Sequence, residues 1–471
     1  MKRITVSFLL AVAAFGAIAQ GVAGQGAAAQ PLIRSDIRIC LDHENGQYAL
    51  GETVYVTAQN VGGYAKELEM TVFRFAHQGE TVSLGRIGSG VDTIFKITPA
   101  YPVAMFLEFR AKGESPRELP LDVELSDDSF RIGFIVGAET FRPGADGTVT
   151  GGAVAGGTVA RADIRKFWAD QVEKMRQSPI EAVVSQVPQS EASVECYDVE
   201  INGPDGVPVR GYLALPRGAA PGSLPIVINF HAAGVAGDWC RSKVSDAVGY
   251  ASRGAICFDF NAHGMKNDGD EEYYSALENG VLRDYAYKPL EDKESYYFKN
   301  MILRAVRGLD YVTQNPAWNG RTVLVLGESQ GGYQSAMLAG IDSRVTNVIV
   351  IVPAGVGVCG SYAGRSDCWP WIPASSSFSD YALANAPYYD AALLLEGCRA
   401  ECLVEIGLID TTCHSAEVFS GFNTVAGPVR YLTTPYRPHH IAKVADQYMQ
   451  WWIRNVHEVR EHAIDSLLSP R

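Results

Sequence analysis

The sequence predicts an α/β fold, a mainly parallel sheet with helices on both faces, preceded by a β-sandwich domain. Three observations carry this reading. Apolar, strand-like runs alternate with helical stretches from about residue 194 onward, a pattern that specifies a parallel sheet covered on both faces. Residues 36–141 alternate apolar with polar at period two, between Gly- and Asn-bearing turns, as antiparallel sandwiches do. The run Thr322-Val-Leu-Val-Leu326 leads directly into Gly327-Glu-Ser-Gln-Gly-Gly332, a glycine-rich turn between a strand and a helix.

Residues 1–29 read as an export signal. Lys2 and Arg3 precede an apolar run to Ala19, and A-x-A cleavage sites end at Ala19 and Ala29. The expected location is secreted or periplasmic. No other segment is expected to span a bilayer, which takes about 20 apolar residues. In the sandwich, Glu52–Gln59, Leu68–Phe75 and Met105–Arg110 are the clearest strands. Residues 142–160 are rich in Gly, Ala, Val and Thr and read as a linker. The domain over 161–471 opens with a helix at Asp163–Arg176, where Phe167, Val172 and Met175 share a face. Strands follow at Tyr197–Ile201, Val209–Leu215, Pro225–His231, Ala255–Asn261, Thr322–Leu326, Val345–Val352, Cys402–Gly407 and Val429–Thr433. A helix bearing Met301, Ala305, Leu309 and Val312 precedes the glycine turn, and one from about Ile441 to Val456 follows the last strand.

The chain of 471 residues is too long for one ordinary domain. Its net charge of −13 excludes nucleic acid and anionic membrane as partners. Nine cysteines follow the signal; in an oxidising compartment some should pair, the odd count leaves at least one thiol unpaired or intermolecular, and buried free cysteines are the alternative. Cys359 with Cys368 and Cys398 with Cys402 are nearest in sequence, but spacing does not fix connectivity. No C-x-x-C or H-E-x-x-H occurs, so no metal and no organic cofactor are expected.

Gly327-Glu-Ser-Gln-Gly has the G-x-S-x-G form of a nucleophile elbow, which lifts a serine hydroxyl into the open. A hydroxyl needs a base to take its proton, and the base needs an acid to orient it. The chain order Ser, Asp, His is met by Ser329, by Asp410 after the strand Cys402–Gly407, and by His439 after the strand Val429–Thr433. His440 is the rival base. Gln330, next to the serine, and Ala233, in the small-residue loop after Phe230, are the expected oxyanion N–H donors, with Ala232 as rival for the second. His231 is read as a loop brace. Residues 353–396 form an insertion whose aromatics, Trp369 and Trp371 among them, are placed to roof the site and stack on sugar rings.

From Phe167 onward the chain resembles the acetyl xylan esterase and cephalosporin C deacetylase family (carbohydrate esterase family seven), which has the α/β-hydrolase fold. The matching pieces are Phe167-Trp168, Ala305-Val-Arg-Gly-Leu-Asp310, Gly327-Glu-Ser-Gln-Gly-Gly332, Ile406-Gly-Leu-Ile-Asp-Thr-Thr-Cys413, Val418-Phe419 and Pro438-His439. The resemblance implies a serine esterase acting through an acyl-enzyme. Its substrate would be acetylated carbohydrate of the xylan type, or a similar small ester. Ser329, Asp410 and His439 match the family's triad, and Ala233 and Gln330 its oxyanion positions. The chain departs from the family in three places. It has Asn261-Ala-His-Gly264 where Arg-Gly-Gln is usual, His440 where Glu is usual, and Ala233 where Tyr is common. A homo-oligomer is compatible with the resemblance. The rival readings are a serine peptidase of the prolyl oligopeptidase type and a non-catalytic glycan-binding protein on the same scaffold.

Overall fold

The computed structural model describes residues 37–439, save 91, 114–128, 144–147, 151–157, 289, 291 and 373–379. It adds the backbone of Arg3–Leu9, Gly16–Ile18 and Leu32–Arg34, all as strands. Most of the expected signal, much of the expected linker, His440 and the expected closing helix lie outside the described residues. Two compact units emerge. The first joins Met1–Arg142 to Ile406–Asn423 and Leu432–Ile441; the second is Pro143–Glu405 with Thr424–Tyr431 and Ala442–Arg471.

The first unit is built on two sheets. One runs in the order Gly16–Ile18, Arg3–Leu9, Asp92–Thr98, Val54–Asn60, Ile37–Leu41, Leu32–Arg34. The other runs Gln47–Tyr48, Ser129–Val136, Val103–Ala111, Leu68–Arg74, His77–Gly85. Their inner faces share one core, with Ile39, Val56 and Phe95 from the first and Met70, Leu107 and Phe134 from the second. Alternate burial along Ile37–Leu41, Val54–Asn60 and Asp92–Thr98 is what one buried face requires. Val103–Ala111 departs from it, being buried along its whole length. Its second face is covered too, since Phe106 packs with Phe73, Ala76 and Ile409. There Glu108 pairs with Arg131, which lies over the stacked rings of Phe73 and Phe106.

A nine-stranded sheet is built mainly from the second unit. Its order is Ala182–Gln186, Val194–Ile201, Val209–Pro216, Ile256–Asn261, Leu224–Phe230, Trp318–Glu328, Asn347–Ile351, Glu401–Gly407, Val429–Thr434. Pairing is antiparallel at the first three ladders. It is parallel from Ile256–Asn261 through Glu401–Gly407. The helices Arg161–Arg176, Val244–Ala251, Tyr297–Val312 and Gln330–Ile341 accompany the sheet. The exposed edge strand Ala182–Gln186 and the helices Val244–Ala251 and Glu271–Asn279 were not legible from periodicity. Among the described residues no helix is long and apolar enough to cross a membrane.

All nine cysteines are thiols, which corrects the expectation that some pair. Eight are buried and pack as small apolar side chains. Cys402 turns its sulfur to its own turn, 3.5 Å from the Ala400 carbonyl.

Candidate active site

Within the second unit, Ser329 sits where the strand Trp318–Glu328 turns into the helix Gln330–Ile341, at φ 52 and ψ −114. A side chain at positive φ is strained by roughly 1–3 kcal/mol and persists only if its surroundings impose it. Here the Ser329 N–H donates to Ile351 O (2.9 Å), and its carbonyl accepts from the N–H groups of Tyr333 and Ala354, both at 3.0 Å. Glycines make the turn sterically open. A Cβ on Gly327 would lie 2.4 Å from the Gly331 backbone, one on Gly331 2.3 Å from Phe230 O, and one on Gly332 2.8 Å from Pro353.

Register brings the next loop alongside. Phe230 pairs with Gly327, so the chain leaving Phe230 emerges beside the elbow. The Gly234 N–H donates to the Tyr285 hydroxyl (3.4 Å), and Tyr285 donates to the Gln330 side-chain oxygen. The Gly234 carbonyl accepts from His263 Nε2 at 3.0 Å. That bond leaves Nδ1 to accept from the Tyr297 hydroxyl at 2.7 Å. Burial and then Arg304 push the His263 pKa down to about 3, so the ring is neutral. One chain of bonds thus joins the loop at 234 to the residue after the serine. The Gly234 N–H is thereby engaged by a side chain. Gln330 opens its helix, where an N–H has no intrahelical partner.

His231 stands just upstream as a brace. It meets Asp259 Oδ1 at 2.8 Å; Asp259 also accepts from Asn229 Nδ2 (2.7 Å) and the Lys243 N–H (2.5 Å). Burial opposes charge on His231, yet Asp259 beside it holds its pKa above the usual value. Asp246 completes a group whose ligand-type atoms lie within 4.8 Å of one another. With N–H donors on both Asp259 oxygens, the group reads as a hydrogen-bonded brace.

Trp239 is the residue that sequence reasoning missed. It is 65% exposed, and its indole N–H donates to the Ala233 carbonyl at 3.0 Å. Two glycines make its bed: a Cβ on Gly237 would lie 2.5 Å from the ring, and one on Gly234 3.2 Å from Nε1. An aromatic a few residues past a small-residue loop was the available signal. Trp369 and Trp371 are half-buried. Trp369 packs on Phe298 with centroids 5.7 Å apart. The neighbouring Tyr388 and Tyr389 pack on Phe167 and Trp168 of the leading helix. Trp168 also donates to the Tyr388 carbonyl at 2.7 Å.

Asp410 and His439 belong to the first unit. Asp410 is buried and accepts at Oδ1 from the N–H groups of Thr412 and Cys413, both at 2.8 Å. Its Oδ2 lies 2.9 Å from His439 Nδ1. A carboxylate there makes Nδ1 the protonated nitrogen and Nε2 the basic one. The loops meet because Gly407 lacks a side chain, since a Cβ there would lie 2.4 Å from Arg437 O. The N–H groups of Leu408 and Ile409 then bond Thr434 O (3.0 Å) and Arg437 O (3.3 Å).

A family model described as acetyl xylan esterase (AXE1) matches residues 155–456. The acetyl esterase Axe7A of Xylanibacter ruminicola is 25% identical over 300 residues, which cover 62% of this chain and 66% of that protein. The chain thus spans just under two thirds of that curated relative. Among solved structures, the acetyl xylan esterase of Paenibacillus sp. R4 superposes at TM-score 0.53 and 24% identity, over 62% of this chain and 94% of its own. Acetyl xylan esterase 1 of a Thermoanaerobacterium species superposes at TM-score 0.53 and 18% identity, over 69% and 98%. These two structures share the fold.

Proposed function

The chain belongs to the acetyl xylan esterase family, and from that premise we propose that it is a serine esterase removing acetyl groups from carbohydrate hydroxyls or similar small esters. The observation that carries the reading is the imposed conformation of Ser329, strained at φ 52 on a turn that three glycines make room for. Ser329 attacks the acetyl carbonyl while His439, oriented by Asp410, takes its proton. The N–H groups of Gln330 and Ala233 receive the oxyanion. The imidazolium returns the proton to the departing sugar hydroxyl, and water then releases acetate from the acyl-enzyme by the same route. Trp369 and Trp371 are proposed to meet the substrate from the insertion, and Trp239 from beside the oxyanion loop. Residues 161–471 form the catalytic domain in this proposal, and residues 1–29 direct export to the periplasm or medium.

The test is a substrate panel with three variants. Wild type should release acetate from acetylated xylo-oligosaccharides and monosaccharides faster than acid from longer acyl esters. Ser329→Ala, Asp410→Ala and His439→Ala should each abolish turnover of an activated acetyl ester while the protein stays folded. A fluorophosphonate should label Ser329. Loss of activity in His440→Ala with retention in His439→Ala moves the base to His440. Preference for acyl chains well beyond acetate ends the deacetylase reading.

A further inference from the structure

We propose that the N-terminal β-sandwich is a positioning element for the acid–base pair, gripping both segments that carry Asp410 and His439. The inference rests on the serine-esterase reading above. Its starting point is that residues 406–423 and 432–441 form one compact unit with the sandwich. The contacts fall close to the two groups in sequence. Before Asp410, Leu408 lies against two glycines of the sandwich. A Cβ on Gly133 would be 2.2 Å from the Leu408 carbonyl oxygen, and one on Gly46 2.6 Å from its Cδ1. Ile409, the residue adjoining Asp410, fills the outer face of the strand Val103–Ala111 against Phe73 and Phe106.

Before His439, the hold is by hydrogen bonds. The Gly133 N–H donates to the Pro435 carbonyl at 2.8 Å. Gln47 Nε2 donates to the Thr433 hydroxyl at 3.0 Å, and that hydroxyl donates to Asn45 O at 2.5 Å. The Tyr436 hydroxyl donates to Ile39 O at 3.3 Å. Each bond is weak alone. Together they fix loops that carry two groups whose separation, 2.9 Å, is demanded by the chemistry. A sandwich that was only a tethered module would have no reason to cover its central strand with the residue next to Asp410. Displacement of a catalytic group by about 1 Å lowers turnover about a hundredfold.

The experiment uses the full chain and reads kcat, KM and the urea midpoint. Thr433→Val with Gln47→Leu removes the hydroxyl and amide contacts without adding bulk. This pair should lower kcat about tenfold with KM within about twofold and the midpoint nearly unchanged. Thr433→Ser, which keeps the hydroxyl, should restore kcat. Gly133→Ala presses a methyl on the Leu408 carbonyl and should lower kcat about a hundredfold where it folds. Leu50→Ser, on the exposed sandwich surface, should change nothing. The proposal is overturned if kcat stays within about twofold in the Thr433→Val, Gln47→Leu chain, if Thr433→Ser fails to restore it, or if the loss lies in KM. An active Asp410→Ala would instead overturn the esterase reading itself, which separates the two failures.

Discussion

Asp410 divides its carboxylate between two tasks: Oδ2 faces His439 Nδ1 at 2.9 Å, and Oδ1 takes the N–H groups of Thr412 and Cys413 at 2.8 Å each. Asparagine reproduces the second task and inverts the first. Its oxygen can hold the two N–H groups, which leaves its NH2 to donate toward His439 and forces the ring proton onto Nε2. Asp410→Asn should therefore keep the loop and lose the base, with kcat down about 10³- to 10⁴-fold. Asp410→Ala should lose as much activity and also about 1–3 kcal/mol of stability, because two buried N–H groups lose their acceptor. Turnover of an activated acetyl ester and urea midpoints for the pair check both halves. Equal midpoints would show that Oδ1 does not hold the loop.

The elbow was legible because it is local. Ser329 and its glycines are contiguous, and each glycine answers a clash within the strand–turn–helix unit or with the adjoining strand end. Asp410 and His439 were singled out by chain order, each following a late strand, and by the resemblance. What was not legible depends on groups far apart in sequence. His263, Tyr285, Tyr297 and Gln330 come from separate segments, and nothing in the spacing joins them. The run Met105–Arg110 was read by its period-two alternation as a sandwich strand, but the observed strand is buried on both faces, with Phe106 covered by Phe73, Ala76 and Ile409, the last some 300 residues later. The expected disulfides failed for a related reason: burial serves an apolar thiol as well as a paired one.

Tyr285 joins the loop at Gly234 to the elbow with one hydroxyl, accepting from Gly234 and donating to Gln330. Among the described residues Gln330 Nε2 is buried without a partner, so Tyr285→Phe leaves no described partner for its side-chain amide. The variant should lose about 1–3 kcal/mol of stability. It should also lower kcat about tenfold with KM little changed, because the two N–H donors act on the transition state and not on the bound ester. Kinetics on one acetyl ester with a parallel unfolding curve tests this. A rise in KM alone would place Tyr285 in ground-state binding.

Trp239 offers an exposed aromatic face and an indole N–H that holds the Ala233 carbonyl, and the two roles separate by substitution. Trp239→Phe keeps a face and drops the N–H; Trp239→Ala drops both. If the ring serves the sugar, Ala should raise KM for acetylated xylo-oligosaccharides several-fold, by the ~1 kcal/mol scale of an aromatic contact. Phe should largely preserve it, and neither should affect a ring-free acetate ester. If both variants slow every ester alike, the indole acts only by bracing the loop.

Two buried histidines should make stability fall with acid. His263 and His414 are held neutral in the fold, with pKa values pushed down to about 3 and about 4 by burial, against 6.5 for an unconstrained ring. The unfolded chain therefore binds protons that the folded chain refuses. Stability is fully present above 6.5 and is lost as pH falls toward these depressed values, by up to about 1.4 kcal/mol per pH unit for each ring. His231 runs the other way, its raised pKa removing stability only as pH rises above 6.5. Asp246 and Asp390, raised by burial, oppose the trend within the acid window. The informative quantity is thus a difference between two proteins. In His263→Gln the amide can still donate to the Gly234 carbonyl and accept from Tyr297, but it does not titrate. Between about pH 6.5 and about pH 5, wild type should lose about 2 kcal/mol more than His263→Gln in urea unfolding. Curves that run parallel across that interval would show His263 to be accessible to protons in the fold, and its place between Gly234 and Tyr297 would need another explanation.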